Sequence, residues 1–534
     1  MVPEKTNQVD FLVLGSGIAG LRAAIALAEA GKVLILNKGK FAESTTRHAY
    51  SGVAAMGEDE EVALHRQDTL RAGDGLCREE AVRILVEEGP QEIRQLMDWG
   101  SHVESKKSRL RLERETPQKA ALVLRAQGEP VGVEILRILA AKVRSNPAIT
   151  IRSNALAVEL LVEDGQCAGL MYLDENTGAF KRVRAHALLL ATGGLGQIYL
   201  ETTNPPPASG DGISLAFRAG ALLSDLEFIQ FHPTVLHARG APRLALAGSL
   251  RENGAKLRNI EMERFMSRYH ECGDLAPSDV ISRSVIMEMR RLRSDFVYLD
   301  LTGLPSDLLK NRFPRLYSDC LTHNIDITTD LLPVRPAAHY SMGGVATDLH
   351  GATTLAGLYA AGEASASGVH GANRLSNNSL LEGLVFGRRA AEGMIHSIGP
   401  AKFPVGSPHP ASSSSGSAES PHFSAGRGTE EELKKAVLEI QRLMWEKVGV
   451  IRAANDLAAA LHKIETISLP EPSHASRQYY EARSILEAAR LVTRCASSRK
   501  ESRGAHYRSD FPLKDESLPA QHSYISKESS GYFK

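Results

Sequence analysis

Arg374 sits in "VHGANRLSNNSLLEGLVFG", a turn of Gly and Asn residues that runs straight into an apolar helical pattern. A guanidinium in so tight a turn offers a planar fork for a carboxylate or phosphate. The helix opening at Asn378, Ser379 and Leu380 adds free N–H groups and the positive end of a dipole. Two anion-seeking devices therefore stand side by side.

A second anion cradle lies near the start. "VDFLVLGSGIAGLRAAIALAEAGKVLIL" reads as strand, turn, helix, strand, with Gly15, Gly17 and Gly20 in a G-x-G-x-x-G. Gly15 permits the tight turn, Gly17 lets the backbone approach a pyrophosphate, and Gly20 lets helix and strand pack closely. The second strand ends in Asn37 and Lys38, where a carboxylate usually takes a ribose hydroxyl; an asparagine amide can also bond a diol. "HALLLATGGLGQIY" is another buried strand, ending in Ala191, Thr192 and Gly193. "GLYAAGEA" delivers Glu363 to the carboxyl edge of a sheet, where ligands bind in open α/β folds. A nicotinamide domain completes its site in one contiguous stretch, whereas a flavoprotein of the two-dinucleotide-fold type returns late in the chain. The late return to Glu363 favours FAD.

The elements that must position these groups define an α/β chain of 534 residues, too long for one ordinary domain. The FAD-binding Rossmann-like domain is expected over 1–225 and again over 341–397, with an inserted α+β capping domain over 226–340. Residues 398–428, rich in Pro, Ser and Gly, read as a flexible linker. A helical C-terminal domain over 429–534 opens on a capping box of Thr429 and Glu432.

The chain carries 63 basic and 63 acidic residues, which argues against a nucleic-acid partner held by bulk charge. Its five cysteines are scattered without a C-x-x-C, which argues against a disulfide framework, a zinc ribbon or a dithiol site. No metal is expected. The opening "MVPEKTNQVD" lacks an apolar core, and no apolar run is long enough to span a bilayer. A cytoplasmic protein without a membrane partner is the expectation.

The motifs "GSGIAG", "TTRHAYSGVAA", "ATGGLGQIY", "SGDG", "EFIQFHPT", "DLAPSDVISR", "AAHYSMGGV", "LYAAGEA", "HGANRLSNNSLLEGLVFG" and "RCASSRKESRGAHYRSDFP", in this order, resemble the flavoprotein family of succinate dehydrogenase, fumarate reductase and L-aspartate oxidase. The segments "NSLLEGLVFGRRAA", "LMWEKVGVIR" and "LRLERETP" are most similar to its aspartate-oxidising branch. The resemblance adds Ser16, Ala19, Thr45, Thr46, Gly52 and Asp211 to the FAD-binding residues. Thr45 stands where membrane-bound members carry the histidine that bonds FAD covalently, which implies noncovalent FAD. The helix after Arg374 would face the flavin pyrimidine edge and stabilise its reduced, anionic form.

The family's substrates are four-carbon dicarboxylates. The resemblance implies that His232, His339 and Arg374 bind the substrate carboxylates, that Arg283 lies over the reacting carbon as the proton-transfer residue, and that Glu115 stands near the substrate amine. An arginine normally stays protonated, so Arg283 either shuttles a proton or acts as an electrostatic stabiliser. Taken singly, each of these residues has an ordinary structural reading; only the combination in family order points to a site.

The implied reaction is FAD-dependent oxidation of L-aspartate to iminoaspartate by hydride transfer to flavin N5. Reoxidation would be by dioxygen or fumarate, and the product would feed quinolinate synthase in NAD biosynthesis. Two other readings stand beside it. One is the flavoprotein subunit of a succinate dehydrogenase or fumarate reductase. The other is an FAD-binding protein with degraded catalysis, suggested by Ala247 and Gly248 where the family usually has Thr-Glu; Arg251 is retained.

Overall fold

The structure is a computed structural model that describes residues 7–49, 52–55, 59–101, 110–114, 122–126, 130–398, 428–517 and 519–533. Glu115 and all but the ends of the expected 398–428 linker lie outside these residues.

The first apolar run forms the strand Asn7–Leu14 at the centre of a mixed sheet. It pairs in parallel with Val33–Leu36 on one side and Ala179–Leu190 on the other, with Leu14 opposite Leu36 and Leu190. Phe11, Leu12 and Val13 are fully buried, as a parallel strand covered on both faces requires. Ile149–Arg152 extends one edge in parallel, while Gln166–Asp174 and Ala155–Glu163 continue the other edge antiparallel. Leu358–Ala360 returns late in the chain to pair in parallel with Ala179–Leu190, Ala360 lying opposite Leu190. The carboxyl ends of the Asn7–Leu14, Ala179–Leu190 and Leu358–Ala360 strands therefore share one edge, which brings together Gly15, Ala191 and Glu363.

Gly15 has φ +108°, and a Cβ on it would lie 2.2 Å from the Ala191 carbonyl oxygen. The turn thus excludes any side chain. The helix Ile18–Leu27 follows, with Gly17 as an extended N-cap that offers no side-chain oxygen. The orphan N–H groups of its first turn are left for a ligand, except that Ile18 N–H reaches Thr46 Oγ1 at 3.3 Å.

Over this edge lies a separate antiparallel sheet in the order Ile229–Leu236, Leu332–Ser341, Val297–Asp300, Lys256–Arg258. The helix Ser278–Leu292 packs on it, Ser282 Oγ donating to the Phe231 carbonyl at 2.7 Å. This is the α+β cap, inserted between the strands of the FAD-binding sheet. Three long helices, Glu430–Lys447, Ala454–Thr466 and Arg477–Ser498, form the helical C-terminal part. The capping box is present: Thr429 N–H reaches Glu432 Oε2 at 2.9 Å and Glu432 N–H reaches Thr429 Oγ1 at 3.2 Å. The chain then returns as Ser523–Ser526, which pairs with Leu223–Ser224. Among the described residues no helix is long and apolar enough to cross a membrane.

Candidate active site

A cavity of about 460 Å³ lies between the carboxyl edge of the first sheet and the cap, within the size range of small-molecule and cofactor sites. Gly15, Ser16, Gly17 and Ala19 line it at the turn, with Asn37, Lys38, Thr45, Thr46 and Gly52 beside them. Ala191, Thr192, Gly193, Asp211, Glu363, Ser379 and Leu380 complete that part of the wall. His232, His339 and Arg374 line the same cavity.

Two of the expected cofactor residues, Lys38 and Asp211, already hold each other. Lys38 Nζ pairs with Asp211 and lies 2.6 Å from Ser209 Oγ and 2.8 Å from Glu481 Oε1. Arg477, on the same late helix as Glu481, donates to the Lys38 carbonyl at 3.1 Å. Glu363 Oε1 accepts the Ser341 N–H at 3.1 Å, and burial pushes its carboxyl up to about 7. Near neutral pH it can therefore accept from or donate to a hydroxyl. Ser44 Oγ and Thr192 Oγ1, both on cavity-lining residues, are buried without a partner among the described residues. Such orphans are rare without a ligand, and together with the free helix N-terminus they suit a dinucleotide.

The second cluster is cationic and imidazole in character. The His232 and His339 rings stand 5.2 Å apart at 69°. His232 Nδ1 accepts the Thr234 N–H at 3.3 Å, which leaves the proton of the neutral ring on Nε2. Burial, aided by Arg251 and Arg374, holds His232 down at about 3, so the neutral ring prevails at pH 7. Burial also holds His339 well below its usual range, and Thr203 Oγ1 lies 2.8 Å from its Nδ1.

Arg374 lies over the Tyr340 ring at 4.7 Å and donates to Gln230 Oε1 at 3.1 Å and Ser379 Oγ at 3.3 Å. All these partners are neutral. No carboxylate among the described residues ion-pairs with it directly; Glu363 and Glu382 act on it only from a distance, so its fork is left for a ligand. A bound carboxylate would supply the direct pair.

Three of the expected site residues do not line the cavity. Gly20 lies beneath the turn, where a Cβ would stand 2.1 Å from the Gly15 carbonyl oxygen, the close packing expected of it. The Asn378 side chain points into the protein, bonding His65 Nε2 at 2.6 Å and Thr69 Oγ1 at 3.0 Å. Arg283, expected over the reacting carbon, is not a lining residue. Its Nη1 donates to Asp279 Oδ2 at 3.0 Å and to the Gly504 carbonyl at 3.4 Å, and its guanidinium lies 4.9 Å over the Tyr507 ring. It reaches Arg374 only through a chain of hydrogen bonds, Asp279 to Asn373 at 3.3 Å and Asn373 to Gln230 at 2.9 Å.

Sequence reasoning did not single out Gln230, Thr203 or Tyr340. For Gln230 a signal existed: it lies two residues before His232 in one strand, where side chains two apart share a face.

Two family models match the chain: an FAD binding domain over residues 10–380 and a fumarate reductase flavoprotein C-terminal domain over residues 437–532. The L-aspartate oxidase of Streptomyces coelicolor is 40% identical over 97% of this chain and 91% of its own length. That of Pseudomonas aeruginosa is 38% identical over 95% and 96%. The chain belongs to the L-aspartate oxidase family. Within the wider succinate dehydrogenase and fumarate reductase group, a variant of E. coli quinol fumarate reductase superposes with a TM-score of 0.85 at 29% identity, covering 99% of this chain and 96% of that one. Mycobacterium smegmatis Sdh1 in complex with UQ1 gives 0.81 at 28%, covering 99% and 94%. As a member of the L-aspartate oxidase family the chain is an FAD-dependent oxidoreductase, and the cavity wall around Gly15 and Glu363 fits that cofactor.

Proposed function

We propose that this chain oxidises L-aspartate to iminoaspartate. The observation that carries the reading is the gathering of His232, His339 and Arg374, the last without a carboxylate partner among the described residues, on the wall of the cavity that the glycine turn also lines. The glycine turn, Thr45 and Glu363 would hold FAD noncovalently, and FAD would supply the hydride acceptor, with dioxygen or fumarate as the oxidant that restores it.

The chain's own groups do the positioning. Arg374 takes one carboxylate of the diacid in a charge-assisted fork. His232 offers its Nε2–H, and His339, steadied by Thr203, offers a second neutral ring nitrogen. Neutral imidazoles orient the substrate by hydrogen bonding and leave the pairing of charge to Arg374. The family resemblance implies Arg283 as the proton-transfer or stabilising group and Glu115 as a carboxylate for the substrate amine; Asp279, Asn373 and Gln230 link Arg283 to Arg374 and help to position that guanidinium. The cap and the first sheet enclose the substrate and exclude water, which strengthens every charged contact.

Iminoaspartate is unstable in water, so a consuming enzyme of the quinolinate synthase type in NAD biosynthesis is part of the reading, as is a cytoplasmic location without a membrane or nucleic-acid partner. The test is anaerobic. L-aspartate added to the yellow protein should bleach the flavin absorbance while succinate leaves it yellow, and Arg374→Leu should abolish the bleaching. Bleaching by succinate alone would make the chain a succinate dehydrogenase-type subunit. Bound flavin that neither diacid bleaches would mark the degraded site suggested by Ala247 and Gly248.

A further inference from the structure

One cation behind the cavity wall has no role in the reading above. Arg251 lies in the short helix Ser249–Glu252, directly after the lining residues Ala247 and Gly248. It is 7% exposed. Among the described residues its side chain makes one hydrogen bond, from Nη1 to Thr234 Oγ1 at 3.1 Å, and no ion pair. Its neighbours in the cap differ: Arg243 pairs with Glu201 at 2.8 Å, Arg258 with Asp300 at 2.7 Å and Arg283 with Asp279 at 3.0 Å. Glu252 and Asp274 act on it only from a distance, and a buried cation without a direct ion pair is costly to keep, which makes Arg251 the exception to explain.

The wall in front of it is nearly absent. Gly248 lines the cavity, and a Cβ built on it would meet only Arg251 Nη2, at 3.6 Å. Any larger side chain at 248 would stand between this guanidinium and the cavity. Ala247 contributes no more than a methyl group.

The mounting of Arg251 also mirrors that of Arg374. Both are held from the strand Ile229–Leu236, on either side of His232 in sequence. Gln230 holds Arg374, Thr234 holds Arg251, and the Thr234 N–H also bonds His232 Nδ1. Both guanidiniums act electrostatically on the His232 ring. Burial lowers Arg251 only to about 10, so it stays charged at neutral pH. Two buried guanidiniums without ion pairs, both acting on one imidazole and held by strand residues that flank it in sequence, match an anion with a carboxylate at each end.

We propose that Arg251 binds the second carboxylate of the substrate through the gap left by Gly248, while Arg374 holds the first. This rests on reading the site as one for a diacid. It makes Gly248, where the family usually has a glutamate, part of a working variant of the site in which the substrate itself supplies the counter-ion.

The test uses the full-length, FAD-loaded protein and follows the oxidised flavin spectrum during titration with succinate and with butanoate, which keeps one carboxylate. In Arg251→Leu, succinate affinity should fall on the order of 30-fold, toward that of butanoate, while butanoate changes by less than about 3-fold. Arg251→Lys should retain part of the preference for the diacid, and it serves alone if the leucine variant does not fold. The KM for aspartate should rise in step with the fall in succinate affinity. Equal losses for succinate and butanoate, no loss for either, or a selective loss in Arg243→Leu instead would overturn the proposal. If the parent protein fails to oxidise aspartate but Arg251→Leu selectively weakens succinate binding, the oxidase reading fails and the role of Arg251 stands.

Discussion

Gln230 grips Arg374 twice: its Oε1 accepts the Nε–H at 3.1 Å and its Nε2–H donates to the Arg374 carbonyl at 2.9 Å. The guanidinium is thereby aimed as well as buried. Gln230→Leu should remove both restraints and lower kcat/KM for aspartate by roughly 10- to 100-fold. Gln230→Glu should do more harm, because a carboxylate there would neutralise Arg374 before substrate arrives. Steady-state kinetics, with the flavin-to-protein ratio as a control for folding, checks both.

Thr203 performs a smaller version of the same task for His339. Thr203→Val keeps the shape but removes the hydroxyl 2.8 Å from Nδ1. The ring then loses the hydrogen bond that steadies it, and KM for aspartate should rise about 10-fold. The melting temperature should stay close to that of the parent.

Glu363 gives a pH-dependent outcome. Its carboxyl ionises near 4.5 when exposed, and burial raises this to about 7 in the folded protein. Between these values the folded state keeps a proton that the unfolded chain has lost, so stability falls as pH rises from 4.5 toward 7 and the full penalty applies above. Glu363→Gln carries no such proton. Freed of FAD, that variant should be more stable than the parent at pH 8 by up to roughly 3 kcal/mol. At pH 4 the two should melt alike. Thermal melts at the two pH values decide it.

Two glycines at positive φ separate sterics from backbone preference. Gly15 has a carbonyl oxygen 2.2 Å from where a Cβ would go, whereas Gly178, at φ +70°, has nothing within 4 Å. Gly178→Ala should cost about 1 kcal/mol. Gly15→Ala should cost several-fold more and should yield protein that purifies without flavin. Urea unfolding and the absorbance ratio measure the two effects.

Most of the architecture was legible because it rests on local patterns. The run Val9–Leu14 could only be a buried strand, the glycines after it only a turn against another strand, and Glu363 marked the late return to the same sheet. Thr429 and Glu432 announced a helix start that the structure contains. The site was legible where a motif places the functional side chain itself, as with His232, His339 and Arg374. It was not legible where long-range packing decides the orientation. Arg283 is turned by Gly504 and Tyr507, more than two hundred positions later in the chain. Asn378 is turned by His65, which only the fold brings near. The lack of a direct ion pair on Arg251 cannot be seen in a sequence at all, since it is a property of what surrounds the side chain.

The clasp on Lys38 carries a consequence for biogenesis. Arg477 and Glu481 reach back to a strand end made 439 positions before the first of them. During synthesis from the amino end, the glycine turn leaves the ribosome long before the side chains that clasp Lys38 exist. Durable capture of the flavin is therefore a task for the released polypeptide, and a chain stopped short of its final helices would emerge colourless.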